Sequence, residues 1–310
     1  MKLVVLIPAY NEESNIAKAV LGIPRKIRGV DKVEVLVVDD GSRDKTSELA
    51  LNAGADKVVS HKRNMGVGAA FMTGIRNAIS MNADVVVTVD ADSQFDSNQI
   101  PELIVPILNQ QLDVVIGSRF LLGVPKNIPG IKMLGNRIFS KIVSWLTGQK
   151  FTDTQTGFRA YSREALFHVS IVNDFTYTQE VLIDLKFKGL RIGETPVSVL
   201  YDEKRKSRVV KNVFDYSSRA LSIIIRTLVY HKPILSFGLL GAVLIGGGIL
   251  AKLLAISEIL VVNASLSTGL IILGAVSFMM GIFASVVFMR QAFAEKDLRH
   301  YLDRSEAFKK

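Results

Sequence analysis

Val85-Val86-Val87-Thr88-Val89-Asp90-Ala91-Asp92-Ser93-Gln94 carries a run of β-branched residues straight into two carboxylates spaced one residue apart. A strand this dense in valine suits a sheet covered on both faces, and open α/β sheets bind their ligands beyond the carboxyl ends of such strands. Side chains alternate along extended backbone, so Asp90 and Asp92 leave on the same side with only Ala91 between them. They can converge on one hard cation, and a magnesium or manganese ion carrying a diphosphate fits the pair. For an isolated pair of this kind a solvated loop with capping aspartates is the favoured reading. The neighbouring segments favour the ligand site.

Further short apolar strands are expected at Leu3–Ile7, Val33–Val38, Lys57–Val59 and Val114–Ile116, with helix-like periodicity between them. That alternation implies an α/β fold with a doubly wound, mostly parallel sheet. Asp44 is placed to cap a helix over Lys45–Ala53 that Gly54 stops, and Asp96 to Gln99 opens another that runs to Asn109. Pro8-Ala9-Tyr10-Asn11-Glu12 follows the first strand and Val37-Val38-Asp39-Asp40-Gly41-Ser42 the second, so polar groups gather at the sheet edge that holds Asp90. Asp39 and Asp40 can accept hydrogen bonds from a base or ribose, or hold a D-G turn, and the two roles can coexist. After the third strand, Asn64-Met65-Gly66-Val67-Gly68 offers backbone N–H groups to a phosphate or ribose. It lacks the third glycine and the first-strand position of a dinucleotide fingerprint, which disfavours a dehydrogenase.

The 310 residues are 49% hydrophobic with a mean hydropathy of +0.30, enough for one α/β domain and an appendage in contact with lipid. Pro233–Ala251 and Leu266–Met289 are uncharged and long enough to cross a bilayer core of about 30 Å. Glycines along both suit close pairing within a hairpin, and also association between copies as a homo-oligomer. Lys204, Arg205, Lys206, Arg208, Lys211, Arg219, Arg226 and Lys232 precede the first span, and Arg290, Lys296, Arg299 and Arg304 follow the second. The positive-inside rule then places both ends of the hairpin in the cytoplasm. The expected organisation is a cytosolic α/β domain at 1–210, a juxtamembrane amphipathic helix at 211–232, two transmembrane helices at 233–290 (about 233–256 and 266–289), and a cytosolic tail at 291–310. This describes a multi-pass protein of the cell membrane.

A net charge of +9 could serve nucleic acid, but the basic residues crowd the membrane-proximal region, so anionic lipid head groups are the expected partners and nucleic acid is not. The absence of cysteine excludes a disulfide framework, and Lys2–Ile7 reads as a buried strand in place of a secretory signal. His61, His168, His231 and His300 fit no ligand spacing. In Ile131–Thr147, Ile131, Leu134, Ile138, Ile142 and Trp145 follow helical spacing among Lys132, Arg137 and Lys141, which suits either the membrane surface or a buried face. Val213–Tyr230 is a second helix of that kind.

Ile7-Pro8-Ala9-Tyr10-Asn11-Glu12, Val38-Asp39-Asp40-Gly41-Ser42, Asn64-Met65-Gly66-Val67-Gly68, Asp90-Ala91-Asp92-Ser93-Gln94, Gly117-Ser118-Arg119 and Asp153-Thr154-Gln155-Thr156-Gly157-Phe158-Arg159 occur in that order. Together they resemble the GT-A glycosyltransferases of family 2, and within it the dolichyl-phosphate mannose synthase-like polyprenyl-phosphate glycosyltransferases. The resemblance implies that Pro8, Tyr10, Glu12 and Asp40 hold the nucleoside, and that Asp90, Asp92 and Gln94 surround Mg2+ or Mn2+ on the donor diphosphate. Asp39, Asn64, Gly66, Ala91 and Lys206 complete the expected nucleotide-sugar contacts. Arg119, Arg137 and Ser140 would receive a lipid phosphate, and Asp92, Arg119 and Asp153 form the expected catalytic set. Where the family carries R-x-G-x-S-K, this chain has Lys204-Arg205-Lys206-Ser207-Arg208, without glycine.

The implied reaction is inverting transfer of one sugar from a GDP- or UDP-linked donor to polyprenyl or dolichyl phosphate. A phosphate monoester with a second pKa of about 6 is mostly dianionic near neutrality and needs no strong base, so Asp153 reads as an orienting group. Competing readings are a processive polysaccharide synthase, transfer to a non-lipid acceptor, and a non-catalytic, membrane-tethered nucleotide-sugar-binding module. The first usually carries Q-x-x-R-W, whereas the only tryptophan here, Trp145, follows Ser144. The last has no physical need for a retained carboxylate pair.

Overall fold

The computed structural model describes residues 1–125, 128, 130–170, 177–199, 222, 225–257 and 264–307. Two compact units divide it, Met1–Ile224 and Ile225–Lys310. The first is built on seven strands, β1 (Lys2–Ala9), β2 (Lys32–Asp39), β3 (Lys57–Ser60), β4 (Val85–Thr88), β5 (Val114–Ser118), β6 (Arg159–Ser162) and β7 (Ile192–Pro196), in the order β3-β2-β1-β4-β6-β5-β7. All pairings are parallel except those of β6, which runs antiparallel between β4 and β5. The carboxyl ends of the other six strands therefore share one edge with the start of β6.

Helices cover both faces, as the valine runs require. Leu3, Val5 and Ile7 of β1 pack into one core with Val33, Val35 and Val37 of β2 and with Ile100, Leu103 and Ile104 of α4 (Ile100–Leu108). Leu6 points the other way, against Gly74 of α3 (Val67–Ser80), where any Cβ would collide with the leucine side chain. Each fully buried aliphatic side chain of this kind contributes about 1.5–3 kcal/mol. The remaining helices of this unit are α1 (Ile16–Leu21), α2 (Thr46–Asn52), α5 (Gly130–Thr147), α6 (Arg163–His168) and α7 (Thr178–Phe187). Asp44 accepts from Thr46 N (3.1 Å) at the start of α2, and Gly54 takes φ +91° just beyond its end, as expected. Asp96 accepts from Asn98 N (3.0 Å) and opens a short 3-10 turn, Ser97–Gln99, ahead of α4.

Two strands escape the hydrophobic pattern. β6 is short and begins with a buried arginine, while β7 contains glycine, glutamate and proline, a composition that an edge strand tolerates. Helix α5 buries Asn136 and Ser140 beside Phe139, Val143 and Leu146, and turns Leu134, Ile138 and Trp145 outward, 57%, 49% and 62% exposed. Those three members of its apolar stripe are therefore outside the domain core.

In the second unit, α8 (Pro233–Ile256) and α9 (Ala264–Ala307) pair antiparallel, and both contain stretches long and apolar enough to cross a membrane. Small residues set their contact. A Cβ on Gly241 would lie 2.7 Å from the Gly274 carbonyl oxygen, and one on Gly248 would lie 2.7 Å from that of Ser267. Ser267, Gly274 and Gly281 recur at heptad spacing, and Ser277 Oγ donates to the Phe237 carbonyl (2.9 Å). Helix α9 runs past the expected end of the second span through Ala307, so the tail expected at 291–310 is helical over most of its length. Residues 225–231 are helical, and the rest of the expected helix at Val213–Tyr230 lies outside the described residues apart from Ser222.

Candidate active site

Three groups of side chains meet the shared sheet edge. At the end of β4, Val89 N still bonds to Leu6 O (3.0 Å), after which the chain turns at Ser93, a non-glycine residue at φ +55°. Asp92 Oδ1 accepts from Gln94 N (3.1 Å), which fixes that turn, and the buried Ser93 Oγ has no hydrogen-bond partner among the described residues. Asp90 faces Gly157, where a Cβ would lie 2.6 Å from Asp90 Oδ1. Thr88 Oγ1 donates to the Gly157 carbonyl, so this segment is stapled to β4. Among the described residues no group of three or more His, Cys, Asp or Glu side chains gathers to hold a metal. Magnesium needs no such cage, because it is commonly held by one or two carboxylates plus substrate phosphates and water. Asp90 and Asp92, with the Gln94 amide oxygen nearby in the chain, are donors of the type that a hard ion arriving with its diphosphate takes.

The loops after β1, β2 and β3 form the second group. Asn11 takes φ +52°, its N–H donates to Ser42 Oγ (2.8 Å) and its side chain accepts from Arg43 N (2.8 Å). Glu12 N donates to Thr46 Oγ1 (2.9 Å), while Glu12 accepts from Asn15 Nδ2 (2.7 Å). Asp39 accepts from Ser42 N (3.0 Å) and from the hydroxyls of Ser42 and Ser47. Asp40 accepts from Met65 N (2.9 Å) and Gly66 N (2.8 Å) and pairs with His61 Nδ1 (2.7 Å). Gly41 at φ +73° rests directly on the Arg63 backbone. Both aspartates therefore hold turns, and Asp40 ties the loop of Asn64 and Gly66 to the end of β2. Pro8 lies on β1, and Tyr10 just beyond its end is 38% exposed at the mouth of these loops.

The third group surrounds Arg119, directly after β5. Its Nε and Nη2 donate to Asp153 Oδ2 (2.6 Å) and Oδ1 (2.9 Å), and its backbone N–H to Oδ2 (3.1 Å). Asp153 is fully buried, so the pair is a bidentate, charge-assisted lock. Ser140 Oγ lies 3.2 Å from Thr154 N and 3.2 Å from Thr154 Oγ1, which ties α5 to the same segment. Arg137 is exposed and Ser140, one helical turn on, is buried, so Arg137 lies at the margin of the face that α5 buries. Lys206 lies outside the described residues.

Three further participants were not singled out as site residues from the sequence, although Arg159 closes the Asp153–Arg159 motif. Glu194 of β7 accepts from Thr152 N (2.9 Å), Thr152 Oγ1 (3.0 Å) and Asp153 N (3.0 Å). Burial raises its carboxyl above the usual glutamate range, and the Asp153 charge adds to the rise against the hydrogen bonds that oppose it. Arg159 donates to the Thr178 (2.6 Å) and Thr154 (2.9 Å) carbonyls. Tyr177 stacks on Phe71 at 4.0 Å, and its phenol is pushed well up by burial, then by Tyr161 and by Asp90. A glutamate in a short strand and a tyrosine before a helix have no distinctive spacing.

The sequence model of glycosyl transferase family 2 matches residues 4–186. A UDP-N-acetylglucosamine–dolichyl-phosphate N-acetylglucosaminyltransferase of Methanococcus voltae is 34% identical over 223 residues, 66% of this chain and 87% of the relative. A dolichyl-phosphate hexose transferase of Haloferax volcanii is 33% identical over 195 residues, 63% of this chain and 81% of the relative. The crystal structure of glucosyl-3-phosphoglycerate synthase from Mycobacterium tuberculosis, in complex with Mn2+, UDP and glucosyl-3-phosphoglycerate, superposes with a TM-score of 0.58 at 23% identity, over 74% of this chain and 79% of that one. At that identity the likeness is one of fold. With the family match covering the strands that carry all three groups, the chain belongs to glycosyl transferase family 2 and is a glycosyltransferase.

Proposed function

We propose that this protein transfers one sugar, with inversion, from a nucleotide-sugar donor to the phosphate of a membrane polyprenol. The observation that carries the reading is the juxtaposition at one sheet edge of a carboxylate pair suited to a divalent cation on a diphosphate and an arginine fixed by a buried aspartate. The named substrates of the two archaeal relatives support a dolichyl-type phosphate as acceptor. Two apolar helices support a seat in the membrane, where such an acceptor resides. The basic residues flanking both spans favour a cytoplasmic catalytic unit and cytoplasmic chain ends.

In this scheme Asp90, Asp92 and Gln94 hold a divalent ion, Mg2+ or Mn2+, which supplies neutralisation of the charge that grows on the departing nucleotide diphosphate. Tyr10, Glu12 and the loops pinned by Asp39 and Asp40 form the nucleoside side. Arg119 offsets repulsion between the acceptor phosphate and the donor, and Arg137 on the exposed face of α5 reaches the lipid phosphate from the bilayer side. Asp153 holds the guanidinium in place. Its burial and bidentate pairing suit orientation better than proton removal, and a dianionic phosphate is already the nucleophile.

Incubating the purified full chain with labelled GDP- and UDP-sugars and polyprenyl phosphate should give a chloroform-extractable product that EDTA abolishes and Mn2+ or Mg2+ restores. Asp92→Asn should lower that yield about a hundredfold. Failure to form a lipid product from any donor, or sugar transfer to a soluble acceptor alone, overturns the reading.

A further inference from the structure

We propose that Glu194 is a positioning residue for the acceptor phosphate, acting through Asp153 on Arg119; the inference rests on the acceptor reading given above. Thr152 and Asp153 have no regular secondary structure of their own, so something must fix where the Asp153 carboxylate points. Glu194 does so from β7. Its two oxygens accept Thr152 N (2.9 and 3.0 Å), Thr152 Oγ1 (3.0 Å) and Asp153 N (3.0 Å), gathering three donors from two consecutive residues. The far side of the segment is held by other groups. Asn136 Nδ2 donates to Thr152 O (2.9 Å), and Thr152 Oγ1 lies 2.6 Å from Ser118 Oγ, one residue before Arg119. The segment is thus clamped between β5, β7 and α5, and Glu194 is its only carboxylate clamp among the described residues. Losing this one frees Asp153 N and Thr152 N in a part-buried setting, and the guanidinium that Asp153 locks loses its fixed direction. A ligand contact displaced by 1 Å can cost two orders of magnitude in rate.

The test uses the full chain in nanodiscs, varying polyprenyl phosphate and nucleotide sugar separately. Glu194→Ala should raise the KM for polyprenyl phosphate at least about tenfold. The KM for the donor should stay within about twofold, and Glu194→Gln, which keeps one acceptor oxygen in place, should recover most of the loss. Equal changes in both KM values, no change in either, or a Gln variant as impaired as the Ala variant would each overturn the proposal. A structure of Glu194→Ala supplies a readout independent of turnover, in which Arg119 should leave its bidentate pose on Asp153; an unaltered pair refutes the inference. Parent protein that makes no lipid-linked sugar overturns the acceptor reading instead, while the pose of Arg119 still decides whether Glu194 positions it.

Discussion

At residue 157 the chain has room for a hydrogen and no more, because the space a methyl would fill is taken by an Asp90 oxygen. Gly157→Ala should therefore move the carboxylate and leave the fold intact. The expected outcome is a roughly tenfold rise in the Mn2+ concentration for half-maximal activity, with little change in melting temperature. Unchanged metal dependence would show that Asp90 is not a ligand. Glu194 gives a second prediction. A group whose pKa is raised by folding lends stability that is complete below its unfolded pKa and is lost as pH rises through the folded value. The melting temperature of Glu194→Gln, which has no carboxyl to ionise, should gain on the parent as pH climbs from about 4 upward. A constant gap across that range would refute it. Asp90 and Asp92 were legible in the sequence because a strand of valines ends on them, and Arg119 and Asp153 only through family resemblance. Glu194 was not, since its partners are backbone N–H groups far along the chain.

Among the elements, the pairing of α8 with α9 makes the firmest claim. Gly274 meets the backbone of Gly241, whereas a Cβ on Gly247 would meet nothing within 4 Å beyond its own stretch of helix. Gly274→Val should force the helices apart and lower the melting temperature of the detergent-solubilised protein by several degrees, while Gly247→Val should not. Equal effects would mean that the close face lies elsewhere. The strands β1, β2, β4 and β5 were readable because burial on both sides demands continuous apolar runs. β6 and β7 were not, because one is led by Arg159 and the other carries Glu194 and Pro196, residues chosen for the site edge and sheet margin. For α5, periodicity revealed a helix, but only its packing in the fold could show that the polar Asn136 and Ser140 face inward.

For the whole molecule, the absence of cysteine makes orientation directly measurable. Single cysteines at Lys62, on the exposed loop after β3, and at Ser257, beyond α8, can be labelled with an impermeant maleimide in intact cells. Labelling at 257 and protection at 62 is the expected pattern, and the reverse would invert the proposed topology. The two long apolar helices were legible from charge-free length alone. The sheet order was not, because nothing local in the sequence announces that β6 inserts between β4 and β5.

That insertion has a temporal consequence. Thr88 and Gly157 are 69 residues apart in the chain yet hydrogen-bond to each other, and Gly157 lies against the Asp90 carboxylate. Closing so long a loop carries an entropic cost that only the completed sheet returns. A nascent chain that has released its first five strands from the ribosome therefore still lacks the wall that Gly157 sets against Asp90, which arrives only when the antiparallel strand slots home.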